Sequence, residues 1–207
     1  MVIPQVGKKD AYKFEKEVIV LLFDLLGLKD PYTKDHSKRV AIYATMLAKE
    51  TKEYNPDDLT KLYQSCLLHD IGKIGIPITI LNKSSSLTQE EYDVMKTHPE
   101  RGIQVLKQFP FTPIDTSIIL FHHEKWDGSG YPNGLKKQEI PLSARIVSIA
   151  DAFDAMTSTR TYRTALTAKE AYNQIIEGAG TQFDPDLVTI FQKVFASWIK
   201  IIPMHVK

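Results

Sequence analysis

Leu67-Leu68-His69-Asp70-Ile71-Gly72-Lys73 decides the reading of this chain. An apolar segment runs straight into a His-Asp pair and then stops at a glycine. Its helical stripe is Leu59, Leu62, Tyr63, Cys66 and Leu67, opened by Asn55-Pro56-Asp57-Asp58, which is good chemistry for a helix start. Two polar side chains at the end of such a helix need a reason. Further out, the same pattern recurs. His122-His123 closes the apolar run Ile118-Ile119-Leu120-Phe121, and Asp151 lies inside Ile146 to Ala152. An unpaired carboxylate buried there is costly and calls for a cation or strong donors.

The rest of the chain is also written in helical period. Phe14, Val18, Leu21, Leu22 and Leu25 form one stripe closed by Gly27; Val40, Tyr43, Ala44, Leu47 and Ala48 form another. Thr88 with Glu91 and Thr167 with Glu170 read as capping boxes. Pro99 opens a helix expected to run through Phe109, and Ile114–His123, Ser143–Met156 and Pro185–Ile199 are expected to be helical. Period-2 alternation is nearly absent. The expectation is an all-α single domain over 31–200, with a leading helix in 1–30 and a short tail at 201–207. The one long irregular stretch, Glu124 to Pro141, carries Gly128, Gly130, Pro132 and Gly134; loops of that length in a compact domain are usually functional or disordered.

Composition narrows the class. The 207 residues carry 26 Lys+Arg and 25 Asp+Glu, a formal net charge of +1. That argues against long nucleic acid as a partner, because such binding needs clustered basic residues. The cluster Lys34, Lys38 and Arg39 reads as a helix surface near the site. The longest apolar run near the start, Val18 to Phe23, is far short of the roughly 20 residues of a membrane span. The single cysteine, Cys66, excludes an internal disulfide and fits a reducing, cytoplasmic setting.

The polar residues at helix ends form a set. His36 sits in the first turn of its helix and His98 precedes Pro99. Either alone reads as an ordinary capped histidine. Together with His69, Asp70, His122, His123 and Asp151 they make an imidazole and carboxylate ligand set without thiolate, larger than one metal needs and suited to two. Asp70 has two oxygens and could bridge. Lys73 is three residues on and faces the same way. A lysine beside such a cluster needs a carboxylate, and Asp154, three residues from Asp151 on one face, is expected to hold it.

These segments resemble a known family. His69-Asp70-Ile71-Gly72-Lys73 resembles the signature of the HD-domain phosphohydrolases. His122-His123-Glu124-Lys125-Trp126-Asp127-Gly128-Ser129-Gly130-Tyr131-Pro132-Asn133-Gly134-Leu135 resembles the extended motif of the HD-GYP subfamily. So do Ile140-Pro141 through Arg145-Ile146 and Ala150-Asp151 through Arg160-Thr161-Tyr162-Arg163. The likeness runs from about Asp30 to Phe191.

The resemblance implies an HD-type helical domain with a metal centre in its core, and hydrolysis of cyclic di-GMP to linear pGpG and on to GMP. It implies one metal held by His36, His69, Asp70 and Asp151, and a second by Asp70, His98, His122 and His123. Iron or manganese is the expected pair. Lys73 matches the family's catalytic lysine, and Tyr131, Arg160 and Arg163 match positions that hold the dinucleotide. An upstream sensor domain, a diguanylate cyclase partner and a homodimer also fit. Some members carry Glu where this chain has Tyr32, and that Glu serves a third metal; Tyr32 therefore favours two. Ser84-Ser85-Ser86 replaces a usual Pro-Gly turn, and Lys137 stands where Gly is common.

Other readings stay open on the residues. Another cyclic dinucleotide or a nucleotide would suit the same chemistry. A di-iron oxygenase could use His and Asp, although Lys73 and the glycine-rich loop disfavour it. A nucleotide-responsive receptor without turnover is the non-enzymatic reading. Trp126 reads as a packing anchor for its loop, Tyr131 as either a base contact or a packing residue, and Gly128 and Gly130 as sites of unusual backbone angle.

Overall fold

The structure, a computed structural model, describes residues 8–159 and 164–202, with side chains from Lys13 onward. Its elements are α1 (Lys8–Lys29), α2 (Pro31–Thr51), α3 (Pro56–Leu67), α4 (Ile78–Leu81), α5 (Gln89–Met95), α6 (His98–Leu106), α7 (Thr116–Phe121), α8 (Leu142–Thr157), α9 (Ala168–Glu177) and α10 (Pro185–Trp198). Short 3-10 turns occupy Ile71–Gly75 and Lys137–Glu139. Among the described residues there is no strand, only an isolated bridge between Ala179 and Phe183.

Local chemistry sets the boundaries. Asp30 caps α2 through Tyr32 N and Thr33 Oγ1, and Pro31 fills the first helical position where no N–H is needed. Asn55 with Asp58, Thr88 with Glu91 and Thr167 with Glu170 form reciprocal capping boxes for α3, α5 and α9. Three expected helices differ in extent. Gly27 does not stop α1, which runs on to Lys29 and is followed at once by the Asp30 cap. The helix opened by Pro99 ends at Leu106, where Phe109 N turns back to the Leu106 carbonyl. The segment from Ile114 becomes helical only at Thr116, because Asp115 takes the N-cap and accepts from Ser117 N at 3.0 Å.

The core lies between α2, α8 and α10. Val40, Tyr43, Ala44 and Leu47 of α2 meet Ile146, Ile149, Ala150 and Phe153 of α8, and Phe191 and Trp198 of α10 close it. The Tyr43 and Trp198 rings are 4.7 Å apart, and Phe153 and Trp198 are 5.1 Å apart. Aromatic contacts of this kind add to the apolar area they bury. The α1 stripe turns out differently from expectation. Val18, Ile19, Leu22, Phe23 and Leu26 are buried, while Phe14, Leu21 and Leu25 stay exposed. The helix is apolar over more than one face, so period alone does not choose which face packs.

Gly72 brings the two halves of the site together. A Cβ there would collide with the backbone of His98 and Gly102. Its absence lets the turn after α3 lie directly on the start of α6, which places Asp70 beside His98.

Candidate metal centre

Five elements converge on one point. His36 comes from α2, His69 and Asp70 from the end of α3, His98 from the start of α6, His122 and His123 from the end of α7, and Asp151 from α8. His36, His69, Asp70, His98 and His122 are buried. His69, Asp70, His98, His122 and His123 stand at helix ends, where a residue can point along the axis into a gap, while His36 and Asp151 reach the same point from within α2 and α8.

The backbone aims the rings. Nδ1 of His69 donates to the Cys66 carbonyl at 2.7 Å, Nδ1 of His98 to the Met95 carbonyl at 2.8 Å, and Nδ1 of His122 to the Ile118 carbonyl at 2.9 Å. A carbonyl only accepts, so each neutral ring carries its proton on Nδ1 and presents a bare Nε2 lone pair. These lone pairs point at one another and at Asp70. His98 Nε2 and His122 Nε2 are 3.4 Å apart; His98 Nε2 is 3.3 Å from Asp70 Oδ1 and His69 Nε2 is 3.3 Å from Asp70 Oδ2. Buried His69 Nε2 and Asp70 Oδ1 have no hydrogen-bond partner. Converging acceptors without protons repel unless a cation lies between them, and the donor set fits a divalent metal. Two groupings are close enough for one ion each: Asp70 with His98, His122 and His123, and His36 with His69 and Asp70. Asp70 belongs to both. Asp151 Oδ1 is 3.0 Å from His36 Nε2, at the edge of the second grouping.

Electrostatics follow from burial. Burial opposes the charge on Asp70, but the neighbouring Lys73 holds the carboxyl well below its usual range. Burial pushes His98 down to about 4 and His123 to about 3, and takes His122 well below its usual value. These three rings are neutral near pH 7, as ligation requires. His36 is the exception. Burial works against its charge, yet Asp151 and Asp154 hydrogen bonds raise it to about 9 in the metal-free chain.

The carboxylate that holds Lys73 is not Asp154, contrary to expectation. Lys73 Nζ donates to Asp70 Oδ2 at 2.6 Å. Asp154 is buried and faces α2, where its Oδ2 accepts from His36 Nδ1 at 2.7 Å and its two oxygens take Arg39 Nε at 2.6 Å and Nη2 at 3.0 Å. Arg39 is likewise no helix-surface cation: it also donates to Ser158 Oγ, and its side chain is 18% exposed. The sequence signal for it was its position three residues after His36, on the same face. Glu124 is a second residue the sequence reading passed over. It is buried, and its carboxylate accepts from Asn133 N at 2.7 Å and Leu135 N at 3.1 Å, folding the glycine-rich loop back on itself.

That loop makes one wall of a cleft. Tyr131 stacks on His123 with ring centroids 4.8 Å apart, and Tyr131 N donates to the His123 carbonyl. Tyr131 therefore both packs the loop and lines the cleft. It joins Pro132 through a cis peptide bond. Gly128 does adopt a positive φ of 84°, but Gly130 does not; a Cβ at Gly130 would fall within about 2.5 Å of Glu124 Cα and the His123 carbonyl, so close approach is its reason. Trp126 is buried under the Arg145 guanidinium. The cleft measures about 470 Å³, and its lining includes Lys73, His98, His123 and Tyr131 together with Asp30, Tyr32, Asn82 and Tyr92. Arg160 and Arg163 lie outside the described residues.

With the fold and site in place, comparison identifies the class. Residues 20–187 match the HD domain family, and the chain belongs to it. It is 41% identical over 180 residues to a cyclic di-GMP phosphodiesterase of Thermotoga maritima, covering 86% of this chain and 49% of that protein. It is 33% identical over 194 residues to the 3'3'-cGAMP-specific phosphodiesterase 2 of Vibrio cholerae, covering 93% of this chain and 37% of that protein. The chain thus spans half or less of the length of these relatives. Its fold matches the L. monocytogenes phosphodiesterase PgpH HD domain, solved with cyclic-di-AMP, at a TM-score of 0.62 and 21% identity over 90% of this chain and 99% of that one. No described helix is long and apolar enough to cross a membrane.

Proposed function

We propose that this chain is a metal-dependent phosphodiesterase that hydrolyses cyclic di-GMP to linear pGpG and on to GMP. The observation that carries the reading is the convergence of the bare His98 and His122 Nε2 atoms on the orphaned Asp70 Oδ1, with His69 Nε2 on Oδ2, beside a cleft lined by Lys73, His98, His123 and Tyr131. Relatives named for two different cyclic dinucleotides support the substrate class.

Two divalent ions, iron or manganese, would be held by His36, His69, Asp70 and Asp151 and by Asp70, His98, His122 and His123. When bound, such ions supply a water of lowered pKa and Lewis-acid charge for the phosphoryl oxygens. The chain's own residues do the rest. Asp70 accepts from Lys73 and fixes its ammonium at the cleft edge, where it offsets charge that develops on a phosphodiester during displacement. Tyr131 offers a ring face at the mouth for a base. Arg160 and Arg163, three residues apart, supply two planar forks for a phosphate or a guanine edge.

Three Vibrio cholerae relatives named 3'3'-cGAMP-specific phosphodiesterases favour a second substrate, 3'3'-cGAMP. Incubating metal-replete protein with cyclic di-GMP, 3'3'-cGAMP and a generic phosphodiester, followed by chromatography, tests both. Turnover of cyclic di-GMP ahead of the other two is the expected result. Turnover of the generic ester alone refutes the dinucleotide reading, and binding without turnover makes the chain a receptor.

A further inference from the structure

One wall of the cleft is built by α4, α5 and the segment between them. Leu81, Leu87, Tyr92 and Met95 give it an apolar surface, and Asn82 stands beside Leu81 where α4 ends. Tyr92 is 45% exposed, and Asn82 is exposed as well. The frame under Asn82 is firmly held. Its backbone N–H donates to the Ile78 and Ile80 carbonyls, and the next residue, Lys83, donates to Glu91 Oε2, which also takes Thr88 N at 2.7 Å. The end of α4 is thus tied to the start of α5, and the Asn82 side chain is presented with little backbone freedom left to lose on binding.

Most other polar groups of the cleft are already committed. Lys73 donates to Asp70, and the Asp30 carboxylate accepts from Tyr32 N and Thr33 Oγ1. Tyr92 and Thr159 each offer a single hydroxyl. The Asn82 carboxamide makes no hydrogen bond among the described residues. Of the described side chains that line the cleft, it alone carries an amide, with a donor and an acceptor in one plane.

Given a cyclic dinucleotide as substrate, the reading on which this rests, we propose that Asn82 reads the edge of the second base and admits either guanine or adenine there. The base face rests on the apolar wall, and the carboxamide meets the edge. Guanine presents O6 as an acceptor beside N1–H as a donor. Adenine presents N1 as an acceptor beside a donor on its exocyclic amine, in the reverse order along the edge. An amide matches either one by turning its plane over. Cyclic di-GMP carries two guanines and 3'3'-cGAMP one guanine and one adenine. With a guanine at the Tyr131 end, the base that differs between them falls to Asn82.

The test is kcat/KM of the metal-replete chain for the two dinucleotides, in the unaltered protein and in Asn82→Asp and Asn82→Ala. A carboxylate only accepts. It still matches guanine, whose N1–H and exocyclic amine both donate, but it faces adenine N1 with a second acceptor. Asn82→Asp is therefore expected to raise the preference for cyclic di-GMP over 3'3'-cGAMP by roughly tenfold or more. The ratio reads the edge, because repulsion between the new charge and the phosphates weakens both substrates alike. Asn82→Ala is expected to raise KM for both by roughly tenfold with metal content unchanged. If the chain binds without turnover, the same ratio is taken from the two Kd values. A ratio within twofold of the unaltered protein in Asn82→Asp, or an unaltered KM in Asn82→Ala, overturns the role of Asn82 and leaves the dinucleotide reading standing. An unaltered chain that neither binds nor cleaves either dinucleotide overturns that reading and the role of Asn82 with it.

Discussion

His36 and Asp154 are joined by a 2.7 Å hydrogen bond from ring Nδ1 to Oδ2, the only one of the four buried site rings in which a carboxylate rather than a backbone carbonyl takes the Nδ1 proton. Arg39 then holds the same carboxylate from the side. The chain Arg39, Asp154, His36 fixes the tautomer that turns Nε2 toward Asp151 and the centre. Asp154→Asn and Arg39→Ala are therefore expected to weaken metal binding by roughly 10–100-fold, the usual effect of losing an outer partner of a ligand. Titration of the metal-free protein with manganese measures it. Wild-type affinity in both variants removes Arg39 and Asp154 from this role.

Lys73 donates to Asp70 without belonging to either ligand group. Lys73→Ala is expected to lower kcat by roughly 100-fold, the scale of a lost charge-stabilising donor, with metal content unchanged. Kinetics paired with metal analysis separates the two effects. A variant that raises KM at constant kcat would make Lys73 a binding group instead.

Glu124 satisfies two backbone N–H groups of the loop that carries Tyr131. Glu124→Ala leaves both without a partner and is expected to cost about 1–3 kcal/mol and to raise KM for the dinucleotide more than it lowers kcat. Chemical denaturation and steady-state kinetics read the two quantities. An unaltered KM in a destabilised variant would confine Glu124 to stability.

The histidines predict how the metal-free chain responds to pH. His36 is raised from 6.5 to about 9, so its contribution is complete below 6.5 and is lost as pH climbs through 9. For a shift of that size the loss is on the order of 3 kcal/mol. His98 and His123 are lowered to about 4 and about 3, so their neutral burial favours folding above 6.5 and opposes it as pH falls toward those values. Stability in chelator is expected to peak near pH 6.5 and to fall on both sides. Melting temperatures from pH 5 to 9 that rise steadily or stay level contradict this.

Much of this was legible in the residues. The capping boxes of α5 and α9 and the Asn-Pro-Asp start of α3 are local chemistry, and the helices begin where those residues stand. The His and Asp residues at the ends of apolar helices announced a buried polar cluster, and the structure brings them together. What sequence could not supply was pairing across the chain. Asp154 lies three residues from Asp151, but its partners, His36 and Arg39, are more than a hundred residues away on another helix. Arg39 read as surface because a helix position does not reveal which carboxylate the fold brings to it. The α1 stripe was misjudged because the helix has two apolar faces and only the packing of α2 chooses between them.

The proposed function turns on Asp70, which would serve both metals and thereby the reaction. Metal content and cyclic di-GMP turnover of Asp70→Ala, purified without chelator beside the unaltered protein, test it most directly. Two ions per chain are expected in the unaltered protein and, in the variant, loss of both ions together with loss of linear product, while helical content is retained. Two ions retained in a variant that still produces pGpG would contradict it.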